Sequence, residues 1–89
     1  MNMPIRVEFF GIPRQRAGVA TTTAEGQRLG DVLAELEHKF PGLAESCIRA
    51  GRLKSGYTAN LGGDRFVTDP ETELAADDVL LILSADAGG

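Results

Sequence analysis

The segment LGDVLAELEHKF, residues 29–40, has the spacing of an amphipathic helix and decides the fold class of the chain. Its apolar residues recur at intervals of three and four, which places them on one stripe of a helix with about 3.6 residues per turn. Pro41 and Gly42 follow directly and end the helical pattern, whereas Arg28 is a weak residue for capping its start. The stripe predicts a core-facing helix rather than a cofactor site, and its members are Leu29, Val32, Leu33, Leu36 and Phe40.

Two strand patterns precede this helix. Residues 4–11, PIRVEFFG, alternate in polarity, so Ile5, Val7 and Phe9 are predicted to face a core. Residues 19–23, VATTT, are rich in β-branched residues and predict a second strand. Because the two strands are close in sequence, we expect them to pair as a hairpin across a long connection.

Three more strands are predicted after the helix. Residues 43–56 form a connection with at most one helical turn, and the YTANL segment at 57–61 predicts a strand. The glycines of 62–64 indicate a turn into a short return strand at 65–67, and the DDVLLILS segment at 77–84 contains the last strand. This order predicts an α+β fold, a β-grasp (ubiquitin-like) roll with one main helix packed on a mixed sheet of four to five strands. The first and last strands are expected to be neighbours.

The last strand is apolar without alternation from Val79 to Leu83. One of its faces must pack on the helix. The other face is either covered by neighbouring strands or exposed as an apolar patch for a partner. In the second case Phe10, Leu81 and Leu83 are the candidate partner-binding residues.

The composition excludes several classes of function. The chain has 89 residues, a net charge of -4 and no Trp, which argues against a nucleic-acid-binding surface. The single cysteine, Cys47, is expected to be a small buried hydrophobe, and the single histidine, His38, to lie on the wet face of the helix. No cluster of metal ligands, signal peptide or membrane-spanning stretch is apparent, so we expect a cytoplasmic protein with no metal site and no membrane partner.

Three segments resemble the MoaD/ThiS family of ubiquitin-like sulfur carriers, in the family's order. IRVEFFGIPRQRAG at 5–18 resembles the opening strand and the Gly-ended segment after it. RLGDVLAELEHKFPGL at 28–43 resembles the helix and its Pro-Gly end. LAADDVLLILSADAGG at 74–89 resembles the last turn, the last strand and the Gly-Gly terminus. The match therefore runs nearly from end to end.

The resemblance implies a carrier protein rather than an enzyme. An activating enzyme of the MoeB/ThiF type would use ATP to adenylate the carboxylate of Gly89, and a sulfur donor would displace AMP to leave a thiocarboxylate. Gly88 would let the terminus thread a narrow channel, because glycine adds no side chain and little backbone restriction. The resemblance further implies a β-grasp domain at 1–84, a flexible tail at 85–89, and no stably bound cofactor.

The sequence departs from the family pattern at two points. Asp77 replaces a glycine that often precedes the last strand, so we expect a positive φ there, which Asp tolerates better than most residues. The tail lacks a proline often found in the family, and Asp86 puts a negative charge three residues from the terminus, where it is expected to affect partner binding.

Four functions remain open from the sequence. The PRQRAG segment at 13–18 and the chain length favour a small subunit of molybdopterin synthase, which would pair with a MoaE-like large subunit and supply sulfur to the molybdenum cofactor. Sulfur delivery to thiamine or to an amino acid is an alternative. A protein modifier joined to lysines through Gly89 is another, and the last is an interaction module whose tail has no role.

Overall fold

The structure is a computed structural model that describes residues 4–85. Its strands and helices, in chain order, are β1 (Ile5–Phe9), α1 (Ile12–Ala17), β2 (Thr21–Ala24), α2 (Leu29–Lys39), α3 (Pro41–Ser46), β3 (Ile48–Arg49), β4 (Arg52–Leu53), β5 (Tyr57–Leu61), β6 (Arg65–Val67) and β7 (Val79–Ser84).

Five of these strands form one mixed sheet in the order β2-β1-β7-β5-β6. β1 and β7 are parallel, whereas β1–β2, β7–β5 and β5–β6 are antiparallel pairs. The first and last strands are therefore neighbours, and the β-grasp prediction is confirmed. Because parallel strands end at the same edge of a sheet, the end of β1 and the end of β7 lie side by side.

Helix α2 buries its apolar stripe against one face of this sheet. Leu29, Val32, Leu33 and Leu36 have no exposed surface. They share a core with alternate residues of the central strand β7 and its parallel neighbour β1, which are Leu80 and Ile82 on β7 and Ile5, Val7 and Phe9 on β1. Burial of each large aliphatic side chain contributes about 1.5–3 kcal/mol relative to leaving it in water, so this stripe is the main reason that the helix docks.

Phe40 departs from the prediction that the whole stripe is buried. Helix α2 ends at Lys39, and Phe40 is extended (φ -123°, ψ 97°), which is the conformation that a following proline favours. The extended backbone turns the ring to the edge of the core, where it is half-buried. There it packs edge-on against Phe9, with ring centroids 5.8 Å apart and an interplanar angle of 81°.

Two segments predicted as connections contain further secondary structure. Helix α1 fills the connection between β1 and β2; Pro13 lies in its first turn and Gly18 closes it with a φ of 79°. β2 is correspondingly Thr21–Ala24, later than the predicted 19–23. Residues 43–56 hold most of α3 and a hairpin of β3 with β4. Strands of two residues are too short to show any periodicity in the sequence.

The start of α2 is stabilised by groups from elsewhere in the chain. Asp31 Oδ2 accepts the backbone N–H of Arg28 at 3.2 Å, and the N–H of Leu29 donates to Thr72 O at 2.9 Å. The loop before β7 therefore supplies an acceptor to the helix terminus, which compensates for the weak cap.

The turn before β7 does not use a positive φ at Asp77, so that expectation is wrong. Among the described residues, Ala50 is the only non-glycine with a positive φ. The turn is closed by Asp78 instead, whose Oδ2 accepts the N–H of Ala75 at 2.7 Å while its own N–H donates to Ala75 O at 3.0 Å.

Candidate functional site

The sheet has a second face, which α2 does not cover. Side chains alternate along a strand, and Leu80 and Ile82 of β7 point into the core. Leu81 and Leu83 therefore point to the opposite side, where each is half-buried. We call this side the open face; by strand alternation and register it comprises Arg6, Glu8, Thr21, Thr23, Thr58, Asn60, Phe66, Val79, Leu81 and Leu83.

One row of side chains crosses the open face through Leu81. Glu8 on β1 and Asn60 on β5 are the Cα partners of Leu81 on either side, and Phe66 on β6 is the partner of Asn60. Neighbouring strands are about 4.8 Å apart, so the row spans roughly 14 Å. It presents, in order, a carboxylate, an aliphatic group, an amide and an aromatic ring.

Phe10 extends the open face at the edge where β1 ends. Its N–H donates to Ile82 O at 3.0 Å, one position beyond the last registered pair of β1 with β7, so Phe10 lies beside Leu83. The Phe10 side chain is 43% exposed. The structure thus brings together three of the four residues that the sequence suggested for partner binding.

Phe66 belongs to the same face and was missed by the sequence analysis. It is 62% exposed on the edge strand β6, and its neighbour Val67 is buried. The alternation of Phe66 with Val67 could have indicated that Phe66 faces away from the core. A strand of three residues is too short for such an alternation to be a reliable pattern.

The remaining predicted site residues lie beyond the last strand. β7 ends at Ser84, and the N–H of Ala85 donates to Gly56 O at 2.7 Å. Asp86, Gly88 and Gly89 fall outside the described residues, as does most of the segment predicted as a tail.

Charges are distributed unequally over these surfaces. On the open face, Arg6 Nε lies 3.1 Å from Glu8 Oε2, an exposed pair that contributes little stability. Helix α1 follows β1 at the edge where β7 ends, and it carries Arg14 and Arg16, both exposed, in its last turn. The edge from which the chain continues to Asp86 is therefore basic.

Cys47 is a fully buried thiol, as predicted. Burial raises its pKa, although a hydrogen bond from the Tyr57 hydroxyl and the positive charges of Arg16 and Lys54 oppose that rise. Because the thiolate is the reactive form, Cys47 is not poised as a nucleophile at neutral pH.

Metal and membrane sites receive no support from the described part of the chain. No group of three or more His, Cys, Asp or Glu side chains within residues 4–85 is arranged to hold a metal ion. His38 is exposed on α2, as predicted. None of the helices in this range is long and apolar enough to cross a membrane.

The five-stranded mixed sheet with α2 across one face places the chain in the ubiquitin-like, β-grasp class. Within that class, the family model described as the ThiS family matches residues 7–89. The chain therefore belongs to the ThiS family of ubiquitin-like sulfur carriers. A comparison with curated protein sequences finds no match.

Solved structures of the same class superimpose on nearly the whole chain. The small archaeal modifier protein 1 (SAMP1) of Methanosarcina acetivorans gives a TM-score of 0.79 at 24% identity, covering 100% of this chain and 99% of that one. CysO of Mycobacterium tuberculosis gives 0.74 at 26% identity, with coverages of 91% and 98%. A Pyrococcus furiosus protein described as subunit 1 of molybdopterin converting factor gives 0.74 at 23% identity, with coverages of 92% and 97%.

Proposed function

We propose that this protein carries sulfur as a thiocarboxylate on Gly89 and delivers it in the cytoplasm to molybdopterin synthesis. The observation that carries the proposal is the extent of the family match, which continues beyond β7 and includes Gly88 and Gly89. A match confined to the folded domain would support only a shared scaffold, because one fold serves many functions.

The chemistry requires that the terminal carboxylate be activated. An oxygen of the Gly89 carboxylate attacks the α-phosphorus of ATP in the active site of a MoeB/ThiF-type enzyme, and pyrophosphate leaves. Hydrosulfide, or a donor equivalent to it, then attacks the carbonyl carbon of the acyl adenylate and displaces AMP. The carrier needs no catalytic side chain of its own, since the partner supplies the nucleotide site.

The length of the terminal segment is consistent with a carrier that supplies the carboxylate and a partner that supplies the nucleotide site. Four residues follow Ala85, whose N–H is the last described anchor to the sheet. Four extended residues span at most roughly 13–14 Å, so the carboxylate must be inserted into a cleft close to the docked domain. Glycine at the last two positions adds no side chain to a channel of that kind.

Intact-mass measurement tests the proposal directly. The chain is incubated with ATP, sodium sulfide and a purified MoeB/ThiF-type enzyme, and the expected gain is that of one sulfur replacing one oxygen. Deleting Gly89 shortens the reach by about 3.3–3.6 Å, more than the tolerance of a displacement that needs reacting atoms ~3–3.5 Å apart. The deletion variant is expected to fold normally and to gain no mass.

The matched control is Ala87→Ser, which changes the same segment but keeps its length and its terminal carboxylate. This variant is expected to gain mass as the wild type does. An equal gain in the Gly89 deletion variant would contradict the proposal and leave a simple interaction module as the better account.

The recipient of the sulfur is tested separately. Adding the thiocarboxylated chain to a MoaE-like large subunit with its precursor is expected to yield the dithiolene. The likeness to the Pyrococcus converting-factor subunit favours this recipient. Failure here, with sulfur transfer to a thiamine or amino-acid precursor, would replace the recipient but keep the carrier.

A second candidate function is protein modification through Gly89, which the likeness to SAMP1 favours. Modification would appear as an isopeptide bond between Gly89 and a lysine of another protein after incubation with ATP and the activating enzyme. Deleting Gly89 would abolish both sulfur carriage and protein modification. The two functions are therefore distinguished by the product that forms, a thiocarboxylate or an isopeptide bond.

Docking of the activating enzyme and the large subunit is proposed for the apolar part of the open face, Phe10, Leu81 and Leu83, with Asp86 beside it in sequence. Leu81→Glu is expected to weaken both complexes and leave a folded domain, since Leu81 lies outside the core. Leu80→Glu is the matched comparison, because it buries a charge in the core and should unfold the chain. Circular dichroism with a binding assay distinguishes the two; a Leu81→Glu variant that binds normally would contradict the assignment.

A further inference from the structure

Asn60 is a buried amide on the open face whose carbonyl oxygen is unpaired. Asn60 is only 7% exposed, and none of the described residues donates a hydrogen bond to its Oδ1. The flanking residues of β5, Ala59 and Leu61, belong to the core, so the amide points to the open face. A buried acceptor without a partner is costly and rare in folded proteins, so Asn60 calls for a functional explanation.

The surroundings of Asn60 restrict the kind of donor that fits. Leu81 lies on one side and Phe66 on the other, and the carboxylate of Glu8 is on the far side of Leu81. Across two strand spacings Glu8 is roughly 10 Å from Asn60. The site therefore combines a buried neutral acceptor with an exposed aromatic ring, which together favour a planar cationic donor, whereas the charge of Glu8 is already paired with Arg6.

We propose that Asn60 Oδ1 accepts a hydrogen bond from an arginine of the activating enzyme when that enzyme docks on the open face, with the guanidinium stacked on Phe66. The inference rests on the proposed function, because it specifies the partner that docks there. Arginine fits better than lysine, since its planar group stacks on an aromatic face while its edge donates. It is also less strongly hydrated than an ammonium, so desolvation at an apolar face costs less.

Phe66 has the freedom that this arrangement requires. It lies on a three-residue strand at the edge of the sheet and is 62% exposed. Because Phe66 is not part of the core cluster, its ring can change rotamer to accommodate a guanidinium without disturbing the core. Such rotamer changes are common when proteins associate, even where the backbone moves little.

The test compares the wild type with Asn60→Val, which keeps a compact side chain that suits a strand but removes the acceptor. The dissociation constant is measured by calorimetry with the MoeB/ThiF-type enzyme of the mass assay. Losing a hydrogen bond to a charged donor is expected to weaken binding roughly ten- to hundredfold. The melting temperature of the free variant is expected to rise, because the unpaired acceptor is gone.

The combination of weaker binding and higher stability separates a binding role from a structural one. If the amide were satisfied within the free protein, Asn60→Val would lower the melting temperature, and the inference would be overturned. Unchanged affinity in a folded Asn60→Val variant would overturn it as well.

A second variant, with a control, tests whether the partner donates or accepts the hydrogen bond. Asn60→Asp is expected to bind more tightly than wild type at low salt, with a difference that shrinks as salt rises, because a carboxylate pairs with arginine. Weaker binding by Asn60→Asp at every salt concentration would mean that the partner presents an acceptor, and would overturn the inference. Ser46→Ala on α3, away from the open face, is the control and should leave affinity unchanged.

Affinity and gain of sulfur are measured separately, so failure of the arginine contact can be distinguished from failure of the proposed carrier function. Normal gain of sulfur with no dependence of affinity on Asn60 overturns this inference alone. Binding that depends on Asn60, without any gain of sulfur, overturns the carrier function and keeps the arginine contact. If the enzyme does not bind the wild type at all, both are overturned.

Discussion

Replacing Ala50 by glycine should stabilise the protein, although glycine usually weakens a fold. Ala50 and Gly51 form the two-residue loop between β3 and β4, with φ values of 52° and 72°. Positive φ at both positions is the pattern of a type I′ hairpin turn, in which Asn-Gly and Gly-Gly are preferred. Alanine in this conformation brings its Cβ close to the following carbonyl oxygen, so Ala50 holds the strain that a glycine would remove.

The size of the effect follows from two opposing terms. The left-handed conformation costs a non-glycine residue about 1–2 kcal/mol. Glycine loses more backbone entropy on folding, which costs about 0.5–1 kcal/mol relative to alanine. The net gain for Ala50→Gly is therefore about 0–1.5 kcal/mol, and each kcal/mol gained raises the melting temperature by roughly 4–8 °C for a domain of this size.

The native turn is held in this conformation, so the strain is not relieved by rearrangement. Glu37 on α2 accepts the N–H of Ala50 at 3.2 Å through Oε2 and the N–H of Gly51 at 3.1 Å through Oε1. This carboxylate fixes both amides of the turn against the helix. The substitution therefore acts on the strain alone and leaves the contacts of the hairpin in place.

Urea and thermal unfolding of Ala50→Gly against wild type measure the effect. The control is Ala34→Gly on the exposed side of α2, where φ is helical and the same change should cost about 1 kcal/mol. Ala50→Asn should also stabilise, since Asn tolerates positive φ. The reasoning is refuted if Ala50→Gly and Ala34→Gly destabilise the protein equally.

Three other predictions concern the core. Leu36→Ala should cost ~2–5 kcal/mol because Leu36 is fully buried; urea unfolding measures this, with exposed His38→Ala as control, and an unmoved midpoint would contradict the packing. Gly42→Ala should cost ~1–3 kcal/mol, because a Cβ there would clash with the backbone carbonyl of Arg16 where α3 meets α1; Ser46→Ala is the control, and equal stability of the two would refute the close approach. Burial raises the pKa of Cys47 and of Tyr57, so the unfolded chain loses these protons first. The free energy of unfolding should therefore be unaffected well below pH 9.0, the ordinary thiol value, and fall as pH rises above it; Cys47→Ala should reduce that fall, and an identical pH profile in this variant would contradict the assignment.

The sequence was sufficient for the parts of the fold that have a period. The stripe from Leu29 to Leu36 and the alternation of Ile5, Val7 and Phe9 each extend over enough residues to distinguish a helix from a strand. β5 and β6 were predicted with the bounds that the structure has, because the glycines at 62–64 separate them. The expectation that β1 and β7 are neighbours then followed from the order of the elements, and the structure shows that this pair is parallel.

The elements that the sequence did not predict are held by contacts distant in the chain. Helix α1 has six residues and packs on α3, and the β3–β4 hairpin is fixed by Glu37. Neither segment has an amphipathic pattern long enough to be recognised. A similar limit applies to the open face. The turn at 62–64 indicates the pairing of β5 with β6, but no local pattern indicates the pairing of β5 with β7 that brings Asn60 beside Leu81.

The absence of alternation in β7 has a physical cause that links the fold to the proposed function. Leu80 and Ile82 are needed by the core beneath α2, whereas Leu81 and Leu83 lie on the open face and contribute nothing to that core. A strand selected for stability alone would carry polar residues at these two positions, as β1 does with Arg6 and Glu8. Retaining leucine at both on a half-exposed face favours association over solubility. Because β7 also leads directly to the terminal glycines, a protein docked on Leu81 and Leu83 is already positioned to receive Gly89. Under the proposed function, docking on Leu81 and Leu83 and insertion of Gly89 belong to one binding event, so Leu81→Glu should reduce adenylation even though Gly89 is unchanged.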